Sequence, residues 1–266
     1  MTALAMEAAV RESGAVPATI AVLAGRITVG LSREQIEDLA HRPFNTVRKC
    51  SRRDLLIVVA RGEDGATTVA GTMIVAHRAG IRVFGTGGIG GVHRGAPLDV
   101  SADLIELGRT PIAVVCAGPK AILDLPLTLE VLETHGVPVI GLGTDTLPGF
   151  YTRSSGLPID ARVETPRQAA AIIAAAERMD ARHGVLVVVP VPESDASTGD
   201  VDAAIDRAIS DADAQGVRGK ALTPFLLKRV SELSTGASQR TNQALLVHNA
   251  RTAGVIAREL TALLTS

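Results

Sequence analysis

The chain has 266 residues, 46% of them apolar and only 2% aromatic, with no Trp and a formal charge of −1. That length suits one large α/β domain over residues 1–266, with a core of Ala, Val, Leu and Ile. The scarcity of aromatics argues against a base-stacking platform for single-stranded nucleic acid, and the near-zero charge without a basic run argues against duplex binding.

Residues 1–13 read as a helix containing Glu7 and Glu12, without the apolar stretch of a signal peptide. No apolar run approaches the roughly 18 residues of a membrane helix, so a cytoplasmic location is expected. Val/Ile-rich strand patterns follow at 17–23, 26–30, 55–60, 81–84, 112–117, 137–141 and 185–189. Several are apolar throughout, as expected of strands covered on both faces. Helix starts are signalled by Ser32 with Gln35, by Thr165-Pro166 with Gln168, and by Thr223-Pro224. Gly80, Gly108, Gly136 and Gly184 stand where helix C-caps would fall. From about Thr198 onward only helices are predicted, covering a sheet face or mediating subunit contacts. The alternation implies an α/β fold, a mainly parallel sheet flanked by helices with a C-terminal helical region. Neither cysteine suggests a disulfide, and Cys116, within an apolar run, reads as a buried small hydrophobe.

Ligands in such folds bind beyond the carboxyl ends of the strands. After 81–84 comes Gly85-Thr-Gly-Gly-Ile-Gly90, a literal G-x-G-x-x-G. A dinucleotide site needs a helix to run on from the third glycine, and Gly95 with Pro97 prevents one. The next strand tip carries no acid, and Glu106 lies in helical sequence. A nucleotide cofactor is therefore disfavoured. Beyond the glycines, Asp99, Ser101 and Asp103 alternate. Ser101 and Asp103 read most simply as a helix start, while Asp99 with waters would suit Mg²⁺ or Mn²⁺.

Lys120 follows the strand at 112–117 and a Gly-Pro turn, where a helix could begin. A helix N-terminus and a partly apolar pocket would both lower its pKa, and a neutral lysine can attack a carbonyl. A phosphate-holding or merely solvated lysine is the alternative. Lys49, in a basic cluster before the strand at 55–60, and the small-residue turn 65–70 could also face a ligand.

Taken together, GAVPATIAVLAGRITVGLS (14–32), KCSRRDL (49–55), GATTVAGTM (65–73), VFGTGGIGGVHRG (83–95), DVSAD (99–103), VVCAGPKAILDLPLT (114–128), ETHGVPVIG (133–141) and TPFLLKRVSEL (223–233) resemble the pseudouridine-5'-phosphate glycosidase family. The resemblance spans nearly the whole chain. It implies reversible cleavage of the C–C bond between uracil and ribose 5-phosphate, with a divalent metal, usually Mn²⁺. Lys120 falls on the family's nucleophile, which forms an imine with ribose C1′. Asp99 falls on its metal ligand, and Lys49, Val69, Ser101, Ala102 and Asp103 on substrate contacts. Asn242 lies where a further ligand contact is expected, and a homo-oligomer, a trimer, is implied. Family members open with a strand resembling A-L-E-S-T-I-I-S-H-G, whose glutamate donates a proton, and residues 1–13 resemble the helix after it. The resemblance thus implies a chain begun past that strand by a late start or trimming, and less stable for its loss. The alternative is a shortened, weakly active or inactive sugar-phosphate-binding paralogue.

Overall fold

The computed structural model describes residues 2–43, 45–196, 201–217, 219–234 and 236–265. The chain opens with α1 (Thr2–Glu12), β1 (Ile20–Leu23), β2 (Arg26–Val29), α2 (Arg33–His41), β3 (Arg48–Cys50), α3 (Arg52–Arg61), β4 (Gly65–Thr67) and α4 (Val69–Arg78). The middle holds β5 (Val83–Gly85), β6 (Val92–His93), β7 (Ala96–Val100), α5 (Ala102–Leu107), β8 (Ala113–Cys116), β9 (Leu123–Asp124) and α6 (Leu125–Thr134). Then come β10 (Val139–Leu142), β11 (Ala161–Val163), α7 (Pro166–Arg178), β12 (Val185–Val188), α8 (Val201–Ala214), α9 (Leu222–Leu233) and α10 (Ala237–Thr265). The predicted onset of the helical region, Thr198, lies outside the described residues.

The α/β expectation holds. The central sheet has the order β11-β10-β12-β8-β5, and every pair in it is parallel. Its inner strands are covered on both faces, which is why they read as continuous apolar runs. Along β8, Val114 and Cys116 point into one core with Met73, Leu104 and Leu132. Ala113 and Val115 point into the other, against Ile173 of α7 and Ile256 of α10. A smaller mixed sheet, β2-β1-β4-β3, carries the first part of the chain, and β7-β6-β9 forms a three-stranded antiparallel patch. No described helix is long and apolar enough to cross a membrane.

The run 55–60 is not a strand. It lies within α3, whose start is fixed by a capping box between Ser51 and Asp54. Only Leu55 and Val58, at helical spacing, are buried, and Leu56 is 77% exposed. The basic cluster is therefore divided, Lys49 lying in β3 and Arg52 and Arg53 in the first turn of α3. The capping boxes at Ser32/Gln35 and Thr165/Gln168 form as expected. By contrast, α9 starts at Leu222 with Pro224 in its first turn. Gly80 and Gly136 adopt the left-handed conformation after helices, but Gly184 caps none. A Cβ there would lie 2.7 Å from the Ile112 carbonyl, so close strand approach explains that glycine. Both cysteines are buried and neither is in a disulfide, and burial pushes the Cys116 thiol up to about 12.

Candidate active site

The segments after β5 and β8 lie side by side at the carboxyl edge of the central sheet, and main-chain hydrogen bonds join them. Thr86 N donates to Val115 O (3.0 Å), Ala117 N to Gly87 O (2.9 Å), and Ile89 N to Gly118 O (3.1 Å). Lys120 N then donates to Ile89 O (3.1 Å), placing the lysine beside the glycine loop.

The glycines are there for close approach. None of Gly85, Gly87, Gly88, Gly90 and Gly91 is among the residues with positive φ. A Cβ on Gly88 would stand 2.5 Å from the Phe150 ring, and one on Gly90 would collide with the Ser101 hydroxyl and lie 2.9 Å from Asp103 Oδ2. As the sequence requires, no helix follows Gly90, and β6 and β7 occupy that stretch.

Asp103 is the keystone. It is buried (5% exposed) in the first turn of α5. Its Oδ1 accepts from Ala70 N (2.9 Å) and its Oδ2 from Gly90 N (2.8 Å). One carboxylate thus ties the N-terminus of α4, reached from the smaller sheet, to the glycine loop of the central sheet. The helix-start reading of Ser101 is also correct, since its Oγ accepts from Asp103 N (3.2 Å). Yet Asp103 does more than oppose the helix dipole, because it holds two loops together.

Lys120 does not begin a helix. Asp124 caps α6, accepting from Leu127 N at 3.0 Å, and Lys120 lies ahead of it in a tight connection. Of the two causes expected for a lowered pKa, the helix N-terminus is absent and burial remains. The side chain retains partial solvent access, but dense packing around it holds the ammonium below the ordinary lysine range. The charge of Asp103 opposes that shift, while the positive charge of Lys49 reinforces it.

The other expected residues lie on several elements, and Lys49 and Asp103 are the two whose charges reach this lysine. Lys49, in β3, is exposed yet within electrostatic reach of Lys120. Val69 is the first residue of α4, and Thr68 caps that helix by accepting from Gly71 N (3.3 Å). Ala102 is exposed at the start of α5. Asp99 is half-buried in β7. Asn242 is half-buried on α10, two turns before Asn249.

Sequence reasoning passed over His93, at the end of β6 and half-buried. Burial lowers its pKa, Asp99 opposes the change, and Lys120 and Lys49 reinforce it, so His93 belongs to the same cluster. Its place just past the glycine loop, in Val92-His-Arg-Gly95, was the available signal. Phe150 and Asn249, far away in sequence, offered none.

A partly desolvated lysine beside a glycine loop, at the carboxyl edge of a parallel sheet where α/β enzymes bind small molecules, defines the class of the protein. The family model described as "Indigoidine synthase A like protein" matches residues 1–259. A pseudouridine-5'-phosphate glycosidase of Hahella chejuensis is 53% identical over 259 residues, covering 96% of this chain and 85% of the relative. One from Paracoccus denitrificans is 55% identical over 255 residues, covering 95% and 84%. Among solved structures, the prealnumycin C-glycosynthase AlnA in complex with ribulose 5-phosphate superposes with a TM-score of 0.92 at 42% identity, covering 99% of this chain and 87% of that one. An indigoidine synthase A-like protein from Thermotoga maritima gives 0.88 at 36% identity, covering 96% and 85%. The chain belongs to the Indigoidine synthase A like family and, within it, to the pseudouridine-5'-phosphate glycosidases.

Proposed function

We propose that this protein is a cytoplasmic enzyme that reversibly splits pseudouridine 5'-phosphate into uracil and ribose 5-phosphate through an imine on Lys120. The observation that carries this reading is the lysine itself, lowered in pKa by burial at the carboxyl edge of the sheet and framed by the glycine loop. A C-glycoside has no exocyclic heteroatom to protonate, so two-carboxylate hydrolysis is a poor route. A neutral amine offers another.

In that route Nζ bonds to C1′ as the C1′–O4′ bond breaks, and O4′ takes a proton. The C1′–uracil bond then breaks as the nitrogen lone pair forms C1′=N, and the electron pair left on the uracil carbon takes a second proton. Water hydrolyses the imine, restoring the amine and releasing ribose 5-phosphate. In this reading Lys49, the Val69 backbone, Ser101, Ala102 and Asn242 bind the sugar phosphate. The Asp103 carboxylate holds the two loops and opposes the full loss of the lysine proton.

Among the described residues no three His, Cys, Asp or Glu side chains gather as a metal cage. The half-buried carboxylate of Asp99 nonetheless fits a hard cation such as Mn²⁺ that keeps most of its waters. Bound there, the ion would supply charge neutralisation for an anionic substrate. Asp99→Ala should lose stimulation by added Mn²⁺, measured as turnover with the metal and after its removal by chelation. The assembly expected is a homotrimer, to be read by light scattering.

The deciding experiment is uracil release from pseudouridine 5'-phosphate with Mn²⁺, beside borohydride trapping of a ribose 5-phosphate adduct. Both should be lost in Lys120→Ala. An adduct persisting in that variant would overturn the assignment of Lys120.

A further inference from the structure

Helix α10 backs directly onto the glycine loop. A Cβ on Gly85 would lie 3.0 Å from Ala253 Cβ and 3.3 Å from Ala250 Cα, and one on Gly87 would lie 3.1 Å from Leu246 Cδ2. Between these contacts sits Asn249, 1% exposed. Its Nδ2 donates to Thr86 O (2.9 Å) and to Gly87 O (3.2 Å). Its Oδ1 is buried without a hydrogen-bond partner among the described residues.

That orphan oxygen is informative. Turning the amide over would set Oδ1 against two carbonyl oxygens, so the orientation is dictated by the loop. An apolar side chain of similar volume would remove that orphan acceptor but would also take from Thr86 O its Asn249 donor, so the amide satisfies the loop rather than itself. The residue therefore pairs the loop's carbonyls while its own oxygen stays unpaired. The hydrogen bonds lead to the lysine. Gly87 O accepts from Asn249 Nδ2 and from Ala117 N, and two residues on, Ile89 O accepts from Lys120 N. Asp103 holds the far end of the same loop through Gly90 N.

We propose that Asn249 is a positioning residue for the reaction. It pins Thr86 and Gly87 from behind, and thereby fixes the segment that carries Lys120, without touching substrate. This inference rests on the imine reading above. Displacing a reacting group by an ångström costs roughly 100-fold in rate, and substrate binding draws mainly on other residues.

The test is Asn249→Leu, which removes the donor and the orphan acceptor at near-constant volume. Expected is a fall in kcat for uracil release of about 10- to 100-fold, with KM changed less than about threefold and the protein still folded, the orphan oxygen being removed while Thr86 O loses its donor. Hydrogen exchange should quicken in segments 84–90 and 115–120 while α7 stays unchanged. A wild-type kcat, or a KM rise with kcat intact, would overturn the proposal. If Asn249→Leu does not fold, Asn249→Ala, which removes the donor without adding bulk, is judged by the same kcat and KM criteria. The two readings fail separately. Without wild-type borohydride labelling the lysine mechanism falls, and the exchange pattern alone then decides whether Asn249 holds the loop, unchanged exchange in both segments overturning it.

Discussion

Burial of Lys120 works against the fold and, in the mechanism proposed above, in favour of the chemistry. Its ammonium is held below the ordinary lysine range, so between that lowered value and the lysine's ordinary one the unfolded chain binds more protons than the folded chain. Stability from this group is therefore lowest when the lysine is charged in both states, and it rises with pH across the window. Lys120→Met should abolish turnover, raise the melting temperature and flatten that rise, as thermal unfolding against pH would show. Turnover should climb with pH below the usual lysine range, because only the neutral amine forms an imine. Asp103 makes the opposite trade. Both its oxygens accept buried main-chain N–H groups, so Asp103→Asn turns an NH₂ against one of them. The expected loss is about 1–3 kcal/mol in denaturant unfolding, with turnover falling as the two loops part. Unchanged stability would remove the keystone role.

At the scale of elements, the strand-like run 55–60 shows how composition misleads. Val and Ile favour strands, but the capping box at Ser51 and Asp54 sets a helix first, and α3 then buries only two of the run's six side chains. That helix is braced against α5 by Arg52, whose Nε and Nη2 donate to Glu106 at 2.8 and 2.6 Å. Glu106 is 1% exposed and also accepts from the Thr110 hydroxyl. Arg52→Ala should cost about 1.5–3 kcal/mol, the value of hydrogen bonds to a charged group, seen as a lower urea midpoint. A neutral result would mean that Thr110 alone satisfies the carboxylate. The capping boxes at Ser32/Gln35 and Thr165/Gln168 and the inner strands of the central sheet were legible because each is decided within a few residues. The short strands β3, β4, β6 and β9 were not, since two or three residues give no period to read.

At the scale of the whole molecule, the site draws on both sheets. Lys49 comes from the smaller sheet, Lys120 and the glycine loop from the central one, and Asp103 joins them. A ligand bridging these parts stabilises the entire fold by mass action. Ribose 5-phosphate at 100 times its Kd should add about 2.7 kcal/mol, and at about 2–4 °C per kcal/mol for a chain of this size the melting temperature should rise by several degrees. The same titration on Lys49→Ala should shift it less. No shift in the wild type would count against a sugar-phosphate site.

What the sequence determined by itself was local or rested on long motifs. It defined the buried parallel strands, the capped helices, the exclusion of a dinucleotide loop at Gly95 and Pro97, and the family resemblance with Lys120 at its centre. Tertiary structure decided the rest. It turned Asp103 from a helix-start residue into a clamp, left burial without a helix N-terminus as the cause of the lowered Lys120 pKa, set His93 within electrostatic reach of Lys120, and brought Phe150 and Asn249 to the glycine loop. The reason is physical. Caps and strand runs are fixed by neighbours along the chain. Desolvation and cross-loop hydrogen bonds depend instead on groups separated along the chain, by 33 residues for Asp103 and Ala70 and by 163 for Asn249 and Thr86, which meet only after the core has closed.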